Sequence, residues 1–276
     1  MGAPRSLGLC HYYLGATDYF GGRFSDALAH LHEAISLFHR VDAPAGEAVS
    51  LQFLGMTESA LGNLDEGRRR LEQGVVVAQR GAMRSHTLIR LYAALGRNRL
   101  DANDPAAARS YVDQGLALVE AHERCICNAS IHCIATACLA LTGDLARAEE
   151  MGKHALARAS DLGSPFFLCM GYQANAMVYA LLGRWDAAFQ ALDLARTQAE
   201  AIDLRYELAR ILLLRAFVHL RRRAVRDLPA ATARMAEASQ VLLSLGARAS
   251  IAQARSSLGF LLEQSVRPAA RVAGNA

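Results

Sequence analysis

The sequence predicts an all-α protein: a right-handed superhelical solenoid of about six helix pairs, followed by a C-terminal capping helix. Two observations predict this class. A segment that reads as a helix end, a glycine turn and a new helix start recurs about every 40 residues, a period typical of stacked helix pairs. The chain is also 53% hydrophobic but only 7% aromatic, with 6 prolines in 276 residues, a composition that favours helices.

The recurring segment is clearest at Leu181–Ala188, which reads Leu-Leu-Gly-Arg-Trp-Asp-Ala-Ala. Similar segments surround Gly22, Gly62 and Gly143. Glycine readily adopts the left-handed conformation that ends a helix. The Ser or Asp three residues after the glycine is predicted to cap the next helix.

The first two helix pairs follow one register. Pair one covers about residues 5–40 and pair two the next 40 or so residues. One face of each second helix repeats small and large apolar side chains at helical spacing: Ala27, Leu31 and Ala34 in pair one, and Gly67, Leu71 and Gly74 in pair two. The segment 42–44 is predicted to end pair one, and Gly81 is predicted to end pair two.

Pair three has Asn103 in place of the turn glycine, and asparagine also tolerates the left-handed conformation. Asp104 and Pro105 are predicted as the N-cap and first residue of the following helix. Pairs four and five keep the register, and their second helices are predicted to end at Gly163 and Asp203.

Pair six is irregular. Its first helix, about residues 204–223, lacks a turn glycine, and about three extra residues precede its second helix, about residues 227–245. A single last helix, about residues 249–264, is predicted to cover the end of the array. The repeat domain is therefore predicted over residues 5–264, with residues 265–276 as a disordered tail.

This register resembles the tetratricopeptide repeat over nearly the whole predicted domain. Leu54-Gly55, Gly62 and the small residues of the second helices match the family pattern, although its Trp and closing Pro are mostly absent and the period exceeds about 34 residues. The long, Ala- and Arg-rich repeats resemble the C-terminal arrays of MalT-like LuxR-type and AfsR-like bacterial transcription regulators. That resemblance implies a sensor or interaction module, with DNA binding and nucleotide hydrolysis in other domains.

Composition narrows the function classes. The net charge of +4 is modest, whereas nucleic-acid binding usually needs a clustered basic face. No apolar run reaches the ~18 residues of a membrane span, and residues 1–5 lack the apolar core of a signal peptide. We therefore expect a cytoplasmic protein that does not contact nucleic acid or membrane directly, with its six cysteines reduced.

One polar cluster has the composition of a metal site, namely Cys125, Cys127, His132, Cys133 and Cys138. On a helix, the members that share a face lie about 10 Å or more apart along the axis, whereas zinc ligands converge within about 2.3 Å of one point. We therefore expect neither a metal nor a cofactor.

The other polar clusters do not predict an enzyme. His30, His32 and His39 have no acidic partner at helical spacing, and a catalytic base needs a third group to orient it. The basic runs 68–70 and 221–223 are expected to be solvated, because no aromatic residues alternate with their arginines.

The concave face is the predicted binding site. The first helices should line it with apolar side chains, Arg and Gln, without acids. The predicted ligand-binding residues are Tyr12, Gln52, Met56, Arg90, Arg97, Gln173, Met177 and Arg210. Arginine pairs well with carboxylates, so the expected ligand is a peptide, a protein segment or a small anionic effector. In the rival interpretation, each arginine pairs with a nearby acid such as Asp101 and is structural.

The sequence thus favours a non-enzymatic binding and regulatory module. The alternative is a structural scaffold that mediates self-association or complex assembly. In that case the protein could form a homo-oligomer. Outward-facing Phe260 and Leu261 on the last helix would favour that alternative.

Overall fold

The computed structural model describes residues 2–80, 84–119 and 128–264. Within these ranges every regular element is a helix, and there are thirteen of them. They are α1 (Gly2–Phe20), α2 (Phe24–Arg40), α3 (Pro44–Leu61), α4 (Leu64–Ala78), α5 (Arg84–Asp101), α6 (Pro105–Val119), α7 (Asn128–Leu141), α8 (Leu145–Asp161), α9 (Pro165–Leu181), α10 (Trp185–Ala201), α11 (Arg205–Arg222), α12 (Asp227–Ser244) and α13 (Arg248–Gln264).

The helices stack in pairs, as predicted. The two helices of each pair form the most extensive contacts, and each first helix also packs on the first helix of the next pair, from α1 on α3 to α9 on α11. This arrangement is the predicted right-handed superhelical solenoid, and the first helices surround its interior. The expected tail and Gly81 lie outside the described residues. None of the described helices is both long and apolar enough to cross a membrane.

The predicted left-handed turns are confirmed. The φ angles are +73° at Gly22 and Gly183, +94° at Gly62, +90° at Gly143 and +60° at Asn103. Because these turns end the first helices, they fix where each second helix starts and which face it turns towards its neighbours.

The predicted caps are wrong at three turns. Helices α2, α4 and α10 have Arg23, Asn63 and Arg184 as N-caps, and none of these forms a side-chain cap bond. The residues predicted as caps lie inside the first helical turn, namely Ser25, Asp65 and Asp186. The left-handed glycine ends one helix so tightly that the next begins only two residues later. An acidic side chain in that first turn still stabilises the helix, because it lies near the positive end of the helix dipole.

The cap predicted at Asp104 is correct, because its Oδ1 accepts the Ala107 N–H at 3.0 Å. In pair six, Arg223 takes the left-handed turn at φ +58°. Asp227 then holds the longer connection together: its carboxylate contacts His219 Nδ1 at 2.8 Å and accepts a hydrogen bond from Arg222 Nη2 at 2.6 Å. Hydrogen bonding from Arg222 lowers the pKa of Asp227 despite its burial.

Helix α13 ties the last repeats to the second and third pairs. Ser250 Oγ donates to the carbonyl of Ala60 at 2.6 Å, and Gln253 Nε2 donates to the carbonyl of Asp101. Both carbonyls lie in the last turn of a first helix, where they lack an intrahelical partner. The superhelix therefore closes on itself, and α13 forms one wall of an interior cavity.

Phe260 and Leu261 line this cavity. They face inward rather than outward, so the feature that would favour assembly through α13 is not present.

We predict that Gly183→Val lowers the free energy of unfolding by about 1–3 kcal/mol, the usual cost of a strained backbone conformation. An added Cβ would meet nothing closer than the Trp185 ring at 3.8 Å, so the loss would come from the backbone alone. Gly259→Val is the matched control, since it lies in α13 with open space around it. Urea unfolding that gives equal stability for Gly183→Val and wild type would contradict the turn assignment.

Ala188→Leu should also lower the free energy of unfolding by overpacking the core, because Ala188 is fully buried.

A second prediction concerns α13. Cys133 is buried and lines the cavity of which α13 forms one wall. Burial raises the pKa of its thiol to about 12. Replacing Ser250 and Gln253 together by Ala should loosen α13 and raise the rate of Cys133 alkylation by iodoacetamide several-fold. Cys138, buried on the same helix but outside the cavity, is the internal control. Mass spectrometry showing an unchanged Cys133 alkylation rate would contradict the view that the Ser250 and Gln253 hydrogen bonds hold α13 in place.

Candidate functional site

The interior of the superhelix contains two adjoining chambers. The first chamber has a volume of about 380 Å³ and is lined by residues of α1, α3, α5, α7, α9 and α11, together with Ser164, the N-cap of α9. The second chamber has a volume of about 160 Å³ and lies against α13. Both chambers have mostly apolar walls, so their few polar groups decide which ligand fits.

Seven of the eight predicted ligand-binding residues line these chambers. Gln52, Met56 and Arg90 line the first chamber, and Gln173 and Met177 line the second. Arg97 and Arg210 line both, at the boundary between the chambers.

Tyr12 lines neither chamber. Its ring packs edge-on against Phe53 at 5.8 Å, so it supports the wall from behind. Tyr19, two turns later on α1, faces the first chamber instead.

The expectation that the concave face lacks acids is wrong. Asp101 and Glu207 both line the first chamber. Arg210 donates two hydrogen bonds to the Asp101 carboxylate, at 3.0 and 3.2 Å. Arg97 lies 3.5 Å from Asp101 and 3.8 Å from Glu207. These two arginines therefore match the rival interpretation in which acids neutralise them.

The repeat register does not predict these acids, because both lie outside its concave positions. Asp101 is in the last turn of α5 and Glu207 in the first turn of α11. The spacing along each helix could have indicated these ion pairs, since Arg97 and Asp101 are four residues apart and Glu207 and Arg210 are three apart. Glu207 is only 8% exposed and also accepts a hydrogen bond from Gln173 Nε2 at 2.8 Å.

Arg90 differs from the other two arginines. Its guanidinium lies 5.8 Å from the centre of the Phe53 ring, a cation–π distance. No acidic side chain among the described residues pairs with it. Among the described residues, the charged side chains that line the chambers are three arginines and two acids, which leaves one positive charge unbalanced.

Apolar side chains form the wall beside Arg90. Phe20 and Phe53 pack edge-on at 5.7 Å, and Phe166 reaches Phe20 from the other end of the array at 5.1 Å. Met56 and Met170 complete this wall. The long-range contact between Phe20 and Phe166 was not predictable from the repeat register, because it depends on closure of the superhelix.

The cysteine cluster gives no metal site in the described part of the chain, where no group of three or more His, Cys, Asp or Glu could hold an ion. Cys125 and Cys127 lie outside the described residues. Cys133 Sγ points to the carbonyl of Phe167 and Cys138 Sγ to that of Pro105, so these two thiols diverge.

The histidines find partners on neighbouring helices, which spacing along one helix could not reveal. His30 Nδ1 lies 3.1 Å from His11 Nδ1, and His39 lies 3.4 Å from Glu47. His32 is exposed. None of these histidines lines either chamber.

The basic runs have structural partners. Arg69 and Arg70 pair with Glu66 on their own helix. Arg221 Nε donates to the carbonyl of Ala180 at 3.1 Å, near the end of α9.

No family model matches the chain, and no curated protein matches it. Among solved structures, it is similar to the Rap protein complexed with competence and sporulation factor: the TM-score is 0.64 at 16% identity, covering 94% of this chain and 76% of that one. It is also similar to the Rap conjugation gene regulator of plasmid pLS20 in complex with the Phr* peptide, with TM-score 0.64, 13% identity and coverage of 92% and 74%. A third is aspartyl phosphate phosphatase F from Bacillus subtilis, with TM-score 0.57, 14% identity and coverage of 95% and 72%. At these identities the likeness shows the fold: the chain is a tetratricopeptide-like helical-repeat protein.

Proposed function

We propose that this protein is a non-enzymatic binding module that holds a carboxylate-bearing ligand with an apolar body inside its superhelix. The ligand class comprises short peptides, protein segments and small anionic effectors. The observation that carries the proposal is Arg90, the interior cation that no described acid neutralises.

Electrostatics supports an anion at this position. An unpaired charge in a mostly apolar chamber is costly, and a ligand carboxylate would balance the excess charge. Arginine can bind both oxygens of a carboxylate at once. Arg97 and Arg210 are held by Asp101 and Glu207, so their role is to shape the boundary between the chambers.

The apolar wall defines the rest of the ligand. Phe53, Met56 and Phe166 surround the first chamber, and methionines adapt to ligands of different shape. Two of the similar solved structures contain a bound factor or peptide, which supports short peptides as one source of the ligand.

Within this function, the sequence resemblance to MalT-like and AfsR-like regulators supports a role as the sensor or interaction part of a bacterial transcription regulator. One of the similar solved structures is itself described as a gene regulator. In this role, ligand binding inside the superhelix would alter contacts on its outside.

The second candidate function is a scaffold for self-association. It is favoured by the outer face of α1, where Leu7 and Leu14 are each 49% exposed and Tyr13 is 64% exposed. An exposed apolar group of this kind is typical of an interface.

We predict that Arg90→Gln weakens binding of dansyl-undecanoate by at least tenfold, the usual effect of removing a charged hydrogen-bond partner. The methyl ester of the same probe should bind weakly to wild type and variant alike. The melting temperature should hardly change, because Arg90 has no ion pair with a described residue. Fluorescence titration measures both affinities. The same assay with a pool of randomised short peptides tests whether the ligand is a peptide. Comparing free with amidated C-termini shows whether binding needs the terminal carboxylate.

Arg158→Gln is the matched control, since this arginine is exposed on α8 and lines neither chamber. The binding proposal is wrong if acid and ester bind Arg90→Gln as they bind wild type. Sedimentation showing dimers in that case would favour the scaffold.

A further inference from the structure

We propose that Tyr19 and Tyr206 form a second, uncharged polar subsite in the first chamber, which binds a carbonyl oxygen of the ligand. This inference rests on the proposed function, because it describes a second contact of the same ligand.

The two tyrosines come from distant parts of the array, and both pack on the same phenylalanine. Tyr19 lies in the last turn of α1 and Tyr206 in the first turn of α11. Both rings pack on Phe24, at 6.2 Å and 5.7 Å respectively. Both residues also line the first chamber, so closure of the superhelix creates the pair.

Neither phenol hydroxyl forms a hydrogen bond with a described residue. In contrast, Tyr111 on the outside of the array donates to Glu72 at 2.8 Å. Neither tyrosine oxygen belongs to the fully enclosed polar atoms without a partner, so each keeps some exposed surface, and both residues line the first chamber. A half-buried hydroxyl of this kind is normally hydrogen-bonded, and here the partner is a ligand or water.

Both phenols stay neutral and can therefore donate. Burial raises the pKa of Tyr19, and Glu207 raises it further. Burial likewise raises the pKa of Tyr206. Each hydroxyl thus carries its proton at physiological pH and offers one O–H donor.

The charges around this pair are balanced. Arg97 and Arg210 face Asp101 and Glu207, and all four lie beside the tyrosines, where they act on the pKa of one or both. A charged ligand group at this point would leave a net charge among these side chains. A neutral acceptor can accept hydrogen bonds from the two hydroxyls without adding a charge. A carbonyl oxygen has two lone pairs and fits two donors.

The ligand class is thereby narrowed. Its carboxylate lies at Arg90, its apolar part against Phe53 and Met56, and a neutral carbonyl oxygen at Tyr19 and Tyr206. Two sources share this chemistry: an oxo-carboxylic acid with a ketone on its chain, and a short peptide, in which an amide carbonyl takes that place.

The experiment compares matched probes. Isothermal titration measures dodecanoate and a series of oxododecanoates in which the ketone moves along the chain one carbon at a time. At least one oxododecanoate should bind wild type about two- to tenfold more tightly than dodecanoate, the range expected for one or two neutral hydrogen bonds. Tyr19→Phe and Tyr206→Phe should each reduce that advantage while leaving dodecanoate affinity unchanged. Tyr179→Phe, which lies outside both chambers, is the control.

The same titration with N-acetylated short peptides distinguishes the sources: peptides sensitive to both Tyr→Phe changes support the peptide source, and insensitive peptides support the oxo-acid. The subsite is refuted if every oxododecanoate binds like dodecanoate, or if the Tyr→Phe changes affect both probes equally, as they would if the hydroxyls held only water. In either case, dodecanoate binding that depends on Arg90 would leave the proposed function intact. Absence of any carboxylate binding would overturn both.

Discussion

The interior of this protein depends on the ion pair between Arg210 and Asp101. It joins α11 to α5 across 109 positions of sequence, with bonds of 3.0 and 3.2 Å. The same Asp101 offers its backbone carbonyl to Gln253 of α13. One residue therefore ties the third pair, the sixth pair and the last helix together, and this closure turns an open groove into two chambers. Burial opposes the charge of Arg210, but Asp101 raises the pKa of this arginine overall, so Arg210 keeps its positive charge.

Closure also determines the electrostatics of the site. In an open array, each arginine of the concave face would meet water, which screens charge strongly. Inside the closed array, Arg97 and Arg210 share two acids, and Arg90 keeps its charge unbalanced beside an aromatic wall. Among the described residues, the structure thus separates a network in which acids neutralise Arg97 and Arg210 from Arg90, which no acid neutralises. This separation carries the functional proposal.

The local rules of the repeat could be predicted from the sequence. Gly62 and Gly183 mark the helix ends because glycine, which has no Cβ, adopts a positive φ without strain, and helical spacing placed Gln52 and Met177 inside. What the sequence could not supply was the curvature of the array. Contacts such as Phe20 with Phe166 arise only when the small rotation between successive pairs accumulates. Tyr206 and Glu207 escaped prediction because they lie in the first turn of α11, before the register positions of the concave face.

The central claim, that the Arg210–Asp101 pair holds the superhelix closed, is tested most directly by a double-mutant cycle. Asp101→Asn, Arg210→Gln and the double variant are unfolded in urea beside wild type. The account predicts a coupling free energy of about 1–3 kcal/mol in favour of the pair, as for contacting residues in one network. A coupling energy within error of zero would contradict it, because the two side chains would then contribute independently and something else would close the array.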